Sequence, residues 1–291
     1  MPSADPAPGA APAGSSERES FGVVGLGRMA QALLLPLIED GVIGPASVQA
    51  AVAGEASAQR LRAAHGLNVS TDPAAAWRCS TVLLAVKPQQ LERAASEAAA
   101  GLASPAAMPA SAGQRPLLIS VLAGVRLQRL ESLFPAWCCV RAVPNTPCLV
   151  RSGLSGLAWG QGVDPARQDW VRGLFARVGE VVDLPESQLD AFLALTSSGP
   201  AFVAVMAEAL ADGAVAAGLP RSLALHFSHR TLAGSAALLQ DQDLHPAQLK
   251  DMVSSPGGTT MAGLRVLEKA GLRSALIEAV LAAAARSREL G

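Results

Sequence analysis

A glycine-rich motif near the start of the chain constrains the fold more than any other feature. It reads Gly25-Leu26-Gly27-Arg28-Met29-Ala30 and fits the pattern G-x-G-x-x-A. An apolar run, Phe21–Val24, precedes it, and a helical pattern over 28–40 follows. In such a strand–turn–helix unit the first glycine allows a tight turn, the second lets the backbone approach a diphosphate, and the last small residue packs the helix on the sheet. The motif predicts a dinucleotide site; a plain packing turn is the alternative.

Apolar runs alternate with helical patterns up to residue 184. The candidate strands lie at 21–24, 48–53, 67–70, 81–86, 117–122, 138–143, 154–159 and 180–184, and a loop of small residues is expected at 101–115. The run 81–86 is continuously apolar, as expected for a strand buried on both faces. The alternation predicts an α/β fold with a doubly wound, mostly parallel sheet of the Rossmann type.

The pattern changes after residue 184 and predicts a second, all-helical domain over 185–291. Its helices are expected at 187–195, 200–217, 222–240, 246–253, 260–270 and 273–289. Two stretches, 201–211 and 276–285, are apolar nearly all round and must be buried on every side. A helical domain of this size has too little interior for them, so subunits are expected to associate.

The two ends of the sheet domain follow from the same patterns. Residues 1–19 are rich in proline, alanine, glycine and serine and are expected to form a disordered tail. Residues 20–184 are then the dinucleotide-binding domain, and 185–291 are the dimerisation and substrate domain.

Charge and cysteine content argue against several classes of protein. The formal net charge of −1 provides no basic excess for nucleic acid or an anionic membrane, and no apolar run of membrane-spanning length is expected. No CxxC occurs, so neither a zinc pattern nor a disulfide framework is predicted, and reduced thiols in the cytoplasm are expected. His226 and His229 lie one helical turn apart without a third ligand, so no metal site is expected. The cysteines are Cys79, Cys138, Cys139 and Cys148.

Residues that follow the later strands extend the predicted cofactor site. Glu55, after the second strand, is a candidate for the ribose 2′-hydroxyl of NAD, or else a solvated residue in the first turn of the next helix. Lys87, after the fourth strand, is a candidate for a ribose or phosphate contact, or else an ordinary surface lysine. Asn145, after the sixth strand, is expected to present its amide to the cofactor carboxamide, with a structural turn as the alternative.

The segment 251–260 joins two late helices and contains the most informative cluster of small residues. Gly257 and Gly258 let successive backbone N–H groups converge, while Ser255, Thr259 and Thr260 add hydroxyls beside a helix N-terminus. This arrangement predicts a nest for a small carboxylate. The alternative is a helix–turn–helix connection in which one of the threonines caps the second helix. Few other acid–base groups stand out, which favours hydride transfer with the chemistry supplied by a cofactor.

The sequence resembles the pyrroline-5-carboxylate reductases over about residues 20–290. The matching pieces, in chain order, are FGVVGLGRMA, AVKP, VPNTPCLV, SSGPAF, EALADGAVAAGLPR and HPAQLKDMVSSPGGTTMAGL. The resemblance implies reduction of Δ1-pyrroline-5-carboxylate to L-proline by NADPH or NADH. It also implies a Rossmann domain, a helical dimerisation domain, a homodimer with its substrate site at the interface, and further assembly into rings.

The resemblance also implies roles for individual residues. Thr260 would hydrogen-bond the nitrogen of the substrate ring, and Ser255, Gly257 and Gly258 would bind the substrate carboxylate. The residues lining the cofactor would include Val86, Lys87, Pro88, Asn145 and Thr146.

Two positions depart from the family pattern and bear on the choice of cofactor. No serine or arginine directly follows the second strand, and Asp72 occupies a position near the adenosine ribose where similar members tend to carry asparagine. A carboxylate there would repel a 2′-phosphate. We therefore expect NADH to be accepted at least as well as NADPH.

Two other functions share this two-domain plan. A β-hydroxyacid dehydrogenase or imine reductase usually needs a catalytic lysine or aspartate in the helical domain, where Lys250 and Lys269 are the only lysines and both are expected to be solvated. A non-catalytic dinucleotide-binding regulator would not need an intact substrate nest.

Overall fold

The computed structural model describes residues 20–103 and 114–290. The predicted tail and most of the loop predicted at 101–115 lie outside the described residues. One eight-stranded sheet spans the first part of the chain. Its strands are β1 (Phe21–Val24), β2 (Val48–Ala51), β3 (Asn68–Ser70), β4 (Thr81–Leu84), β5 (Leu117–Ser120), β6 (Cys138–Val143), β7 (Gly153–Trp159) and β8 (Gly179–Asp183).

The strands lie in the order β3-β2-β1-β4-β5-β6-β7-β8, and only β6 and β7 pair antiparallel. That pair is joined by a short loop with a single 3-10 turn, Thr146–Val150, and a connection without a crossover helix cannot return the chain to a parallel strand. The mostly parallel Rossmann-type fold is confirmed. Three observed strands, β2, β4 and β5, end two residues before the predicted limits, because the apolar residues continue into the loops that follow.

Helices cover both faces of the sheet and bury two separate apolar clusters. The helices of this part are α1 (Arg28–Glu39), α2 (Glu55–His65), α3 (Ala74–Trp77), α4 (Leu91–Leu102), α5 (Leu127–Leu133) and α6 (Pro165–Ala176). Because β1 lies between β2 and β4, the connections leave it in opposite directions. A crevice therefore opens at the carboxyl ends of β1 and β4, where ligands of such sheets bind.

The rest of the described chain is helical, as predicted. Its helices are α7 (Leu189–Thr196), α8 (Gly199–Ala216), α9 (Arg221–Asp241), α10 (Pro246–Met252), α11 (Thr259–Lys269) and α12 (Leu272–Glu289). Helix α7 packs on the sheet and contributes Leu189 to one of its two apolar clusters. The helical part is thereby attached to the sheet domain by its first helix.

Helix α8 leaves most of its apolar surface uncovered by the rest of the described chain. Only Ala207 and Ala211 are buried, whereas Val205 is 65% exposed and Leu210 is 51% exposed. By length and composition the stretch Glu186–Ala216 is long and apolar enough to cross a membrane. This differs from the expectation that no apolar run of that length occurs. The exposed apolar residues of α9, α11 and α12 continue this surface, so the expected explanation is association with a second subunit.

The Val205→Glu substitution tests this explanation. The added carboxylate costs little in a single chain, where Val205 is exposed, but it is expected to cost several kcal/mol when buried unpaired between subunits. We expect light scattering to show a monomer for this variant. Val42→Glu, on an exposed loop of the sheet domain, is the control and should stay associated. An unchanged molar mass for Val205→Glu would exclude this part of α8 from the interface.

Candidate functional site

The turn after β1 admits only glycine at its first position. Gly25 has a φ of +96°, and a Cβ there would lie 2.7 Å from the carbonyl oxygen of Ala85. This contact arises because β1 and β4 are parallel neighbours in register, so the chain leaves both strands at the same point. Val86 follows directly, and its backbone nitrogen also borders Gly25. The structure thus brings the glycine motif and the Val86-Lys87-Pro88 segment together at the crevice.

The N-terminus of α1 is open toward the crevice. Gly27 occupies the N-cap position, no side chain caps the first turn, and no acidic residue lies in it. A Cβ built on Gly27 meets nothing within 4 Å. The uncapped N–H groups of Arg28 and Met29 therefore border free space at the positive end of the helix. This geometry suits a diphosphate, and Leu26, which is buried, anchors the turn below it.

The adenosine end of the crevice contains a cation that the sequence analysis missed. Glu55 is the first residue of α2, and its Oε1 accepts a hydrogen bond from Arg62 Nη2 at 2.9 Å. Arg62 Nε also donates to the carbonyl of Val69 on β3 at 2.7 Å. Arg62 lies seven residues after Glu55, nearly two turns along the same helix face, and that spacing was the signal available in the sequence.

Asp72 lies at the same end of the crevice, but no cation of the described residues pairs with it. Its Oδ1 accepts a hydrogen bond from the backbone N–H of Ala74 at 3.0 Å, so it stabilises the turn before α3. Both Asp72 and Glu55 are exposed. Of the two carboxylates, only Glu55 is therefore neutralised by a guanidinium.

The structure corrects the role expected for the side chain of Asn145. This residue is 4% exposed, its Nδ2 donates to the carbonyl of Thr196 at 3.0 Å, and its Oδ1 accepts from the backbone N–H of Leu154 at 2.8 Å. The amide nitrogen and oxygen thus join β7 and α7. These bonds favour the structural alternative for this side chain. Thr146, which follows, is exposed at the start of the 3-10 turn.

The nest between α10 and α11 is formed by three adjacent features. Gly257 has a φ of +69°, which turns its backbone toward the helix N-terminus. Gly258 is the N-cap of α11, and a Cβ on it would collide with Oγ of Ser255. Neither Thr259 nor Thr260 caps the helix, contrary to the alternative considered from the sequence. The first-turn N–H groups of α11 are therefore uncapped and lie next to a serine hydroxyl.

The nest opens on a groove and is not covered by its own chain. Neither α10 nor α11 contains a buried residue. The groove has a volume of about 590 Å³, and its lining includes Lys250, Gly257, Gly258 and Arg265. The carboxylate of Glu268 lines the same groove as these two cations. Thr260, in the first turn of α11, is half-buried.

The described residues contain no cluster of three potential metal ligands among histidine, cysteine, aspartate and glutamate. All four cysteines are buried and free. Burial raises the pKa of the Cys79 thiol to about 11 and that of Cys139 to about 12. These thiols are protonated at neutral pH and are poor nucleophiles.

Comparison with known proteins decides the family. Residues 186–290 match the family described as pyrroline-5-carboxylate reductase dimerisation, and residues 20–124 match that described as NADP oxidoreductase, coenzyme F420-dependent. The chain is 45% identical to a pyrroline-5-carboxylate reductase of Synechocystis, with 93% of this chain and 98% of that one covered. The chain belongs to the pyrroline-5-carboxylate reductase family. A relative from Methanosarcina acetivorans is 39% identical, over 94% of this chain and 99% of its own.

Solved structures of pyrroline-5-carboxylate reductases have the same fold. The enzyme from Coxiella burnetii is 29% identical with a TM-score of 0.81, over 94% of this chain and 99% of that one. The pyrroline carboxylate reductase of Plasmodium falciparum, with NADP bound, is 28% identical with a TM-score of 0.82, over 95% and 100%. As a family member the chain is a nicotinamide-dependent oxidoreductase. The predicted reduction of Δ1-pyrroline-5-carboxylate to L-proline is confirmed.

Two glycine substitutions separate stability from cofactor binding. Gly25→Ala is expected to destabilise the protein by at least about 1–3 kcal/mol, because its φ is positive and its Cβ meets Ala85. Gly27→Ala is expected to fold normally but to bind reduced nicotinamide cofactor weakly, because its methyl group occupies the free space before α1. Urea unfolding and fluorescence titration measure the two effects. If Gly27→Ala bound the cofactor as tightly as the wild type does, the assigned diphosphate position would be contradicted.

Proposed function

We propose that two of the uncapped helix ends, those of α1 and α11, divide the binding of anions in this reductase. The N-terminus of α1 holds the cofactor diphosphate, and the N-terminus of α11, with Ser255, Gly257, Gly258 and Thr259, holds the carboxylate of Δ1-pyrroline-5-carboxylate. The observation that carries the proposal is that both helices begin at a glycine, with no side-chain cap and no acidic residue in the first turn. An anion is the partner that such helix ends lack.

The protein contributes position and hydrogen bonds to the reaction. When bound, reduced nicotinamide supplies a hydride to the carbon of the C=N bond. The nest fixes the substrate carboxylate, and the Thr260 hydroxyl orients the ring nitrogen, which becomes the amine of proline. The iminium form accepts hydride more readily than the neutral imine, and solvent supplies its proton. Holding the two reactants in this way accelerates the reaction without a protein acid.

The remaining cofactor contacts follow from the edge of the sheet. Lys87 is exposed after β4, where its ammonium group can contact the ribose or phosphate, and Val86 and Pro88 line the crevice beside it. Thr146 is exposed after β6, on the nicotinamide side. Glu55 is proposed to bind the ribose 2′-hydroxyl while Arg62 neutralises it.

We further propose a homodimer that assembles into rings in the cytoplasm. The uncovered nest and the exposed apolar helices support a dimer, and four buried free thiols fit a reducing compartment. The ring is supported by the family resemblance alone. The domain boundary is placed after residue 184, because the last strand ends at Asp183 and the dimerisation family begins to match at 186. The dehydrogenase alternative gains no support, because the named relatives of this chain are pyrroline-5-carboxylate reductases.

The Thr260→Ala substitution tests the assigned hydroxyl. Loss of its hydrogen bond to the substrate nitrogen is expected to cost about 1–3 kcal/mol of transition-state stabilisation. This cost lowers kcat/KM roughly 5-fold to 150-fold. Thr260→Ser keeps the hydroxyl and should retain most of the activity. Steady-state oxidation of the cofactor with pyrroline-5-carboxylate measures both. An unchanged kcat/KM in Thr260→Ala would remove Thr260 from the mechanism.

Asp72 is expected to determine the preference between cofactors. The wild type should use NADH at least as well as NADPH, because the unpaired Asp72 carboxylate repels a 2′-phosphate. Asp72→Asn should remove about 1 kcal/mol of repulsion and so raise kcat/KM for NADPH roughly 5-fold. The kcat/KM for NADH should change little. Glu55→Gln is the comparison, and its effect should be smaller because Arg62 already neutralises Glu55. A strong NADPH preference in the wild type would refute this assignment.

A further inference from the structure

A buried arginine joins the sheet domain to the helical domain. Arg141 lies on β6, three residues before the loop that begins at Pro144, and its side chain is 1% exposed. Its Nη1 donates to Oε1 of Glu186 at 3.0 Å, and its Nη2 donates to Oδ1 of Asp190 at 3.4 Å. Glu186 and Asp190 belong to the start of the helical domain. No local pattern indicates this pairing, because the partners lie 45 and 49 residues away in the chain.

The same carboxylates reach two further helices. Oδ1 of Asp190 accepts a hydrogen bond from the hydroxyl of Ser287 at 2.7 Å, near the end of α12. Oε1 of Glu186 accepts one from the backbone N–H of Leu127 at 2.6 Å, at the start of α5. We name Arg141, Glu186, Asp190 and Ser287 the Arg141 cluster. It binds β6, α5, α7 and α12 to one another at the junction of the domains.

Helix α7 is held at its other end as well. Its last residue, Thr196, accepts the hydrogen bond from Asn145, and the Ser197 hydroxyl donates to the carbonyl of Pro144 at 3.2 Å. The end of α12 lies against the loop after β5, where a Cβ on Gly124 would come within 2.8 Å of Cβ of Leu290. Helices α7 and α12 are therefore attached next to the carboxyl ends of β5 and β6, and α11, which begins at the nest, runs directly into α12.

Stability alone is a poor explanation for the Arg141 cluster. Removing charges from water is costly, and well-packed apolar residues in place of a buried ion pair are often neutral or stabilising. The cluster holds one guanidinium for two carboxylates, and Nε of Arg141 has no partner among the described residues. Directional hydrogen bonds fix the orientation between two structural elements, and apolar packing does not.

We propose that Arg141 is a positioning residue for hydride transfer. Through the Arg141 cluster it fixes the helical domain on the sheet domain, and thereby sets the separation between the substrate nest and the cofactor edge. A displacement of about 1 Å between reactants can cost about 100-fold in rate. This inference rests on the proposed function, since it presumes that the nest and the crevice hold the two reactants.

The test separates position from stability with two variants. Arg141→Met leaves both carboxylates without their cation and is expected to lower the Tm. Adding Asp190→Leu removes one stranded carboxylate and fills the space, so the double variant should regain most of the Tm. Its hydride-transfer rate should nevertheless remain about 10-fold to 100-fold below that of the wild type. Arg93→Met, which removes an exposed ion pair on α4, is the control and should change neither quantity.

Single-turnover oxidation of NADH by pyrroline-5-carboxylate, with enzyme in excess, is the decisive measurement. As long as folded enzyme, counted by cofactor titration, stays in excess over NADH, a merely structural role leaves the rate constant unchanged, whereas a positioning role lowers it. Cofactor deuterated at the transferring position should slow the reaction further in the double variant, which identifies the observed step as hydride transfer. A wild-type rate constant in the folded double variant would overturn the proposal.

Ser287→Ala provides a second, milder test that does not depend on the folding of the double variant. It removes one hydrogen bond at the far end of the Arg141 cluster and is expected to lower the same rate constant by about 3-fold to 10-fold. A wild-type rate constant here would also count against the cluster. Failure of the wild-type enzyme to reduce pyrroline-5-carboxylate would instead refute the proposed function itself, so the two failures are distinguishable.

Discussion

The contact between Gly25 and the carbonyl of Ala85 is the constraint on which the cofactor site depends. It forces the chain to leave β1 in a conformation open only to glycine, and this directs α1 away from the crevice with its N-terminus facing inward. The adjacent parallel strand β4 delivers Val86 and Lys87 to the same point. Every other cofactor residue is placed by the strand order around this turn. A Rossmann sheet therefore builds its anion site from backbone geometry before any side chain contributes.

The substrate nest uses the same physics in a different setting. Gly258 begins α11 without a side-chain cap, just as Gly27 begins α1, but here the surroundings are helices with almost no buried residues. A carboxylate bound at such an exposed site would compete with water. In the proposed dimer, closure by a second subunit would remove that water and strengthen each hydrogen bond to the anion. The apolar surface of α8 and the open nest thus have one cause, which is that the described part of a single chain does not cover its own helical domain.

Polar groups buried between the domains connect the two sites. Asn145 uses both its amide nitrogen and its amide oxygen to hold β7 and α7, and Arg141 holds α7 from the same strand that leads to Asn145. Strand β6 therefore has two functions, since it ends at the cofactor edge and also carries the helical domain. A shift in either contact moves the nest relative to the crevice. The charges between the domains act on geometry more than on stability.

The sequence by itself determined the strand and helix order, the glycine motif and the nest. These are local properties, because turn geometry and hydrophobic periodicity depend on residues within a few positions of each other. The pairing of Arg62 with Glu55 lies within one helix, so its spacing was already present in the sequence. The burial of the Asn145 amide and the Arg141 cluster, in contrast, were decided only by the tertiary structure. Each depends on which elements pack together, and the sequence pattern places no restriction on contacts between residues that lie 45 or more positions apart.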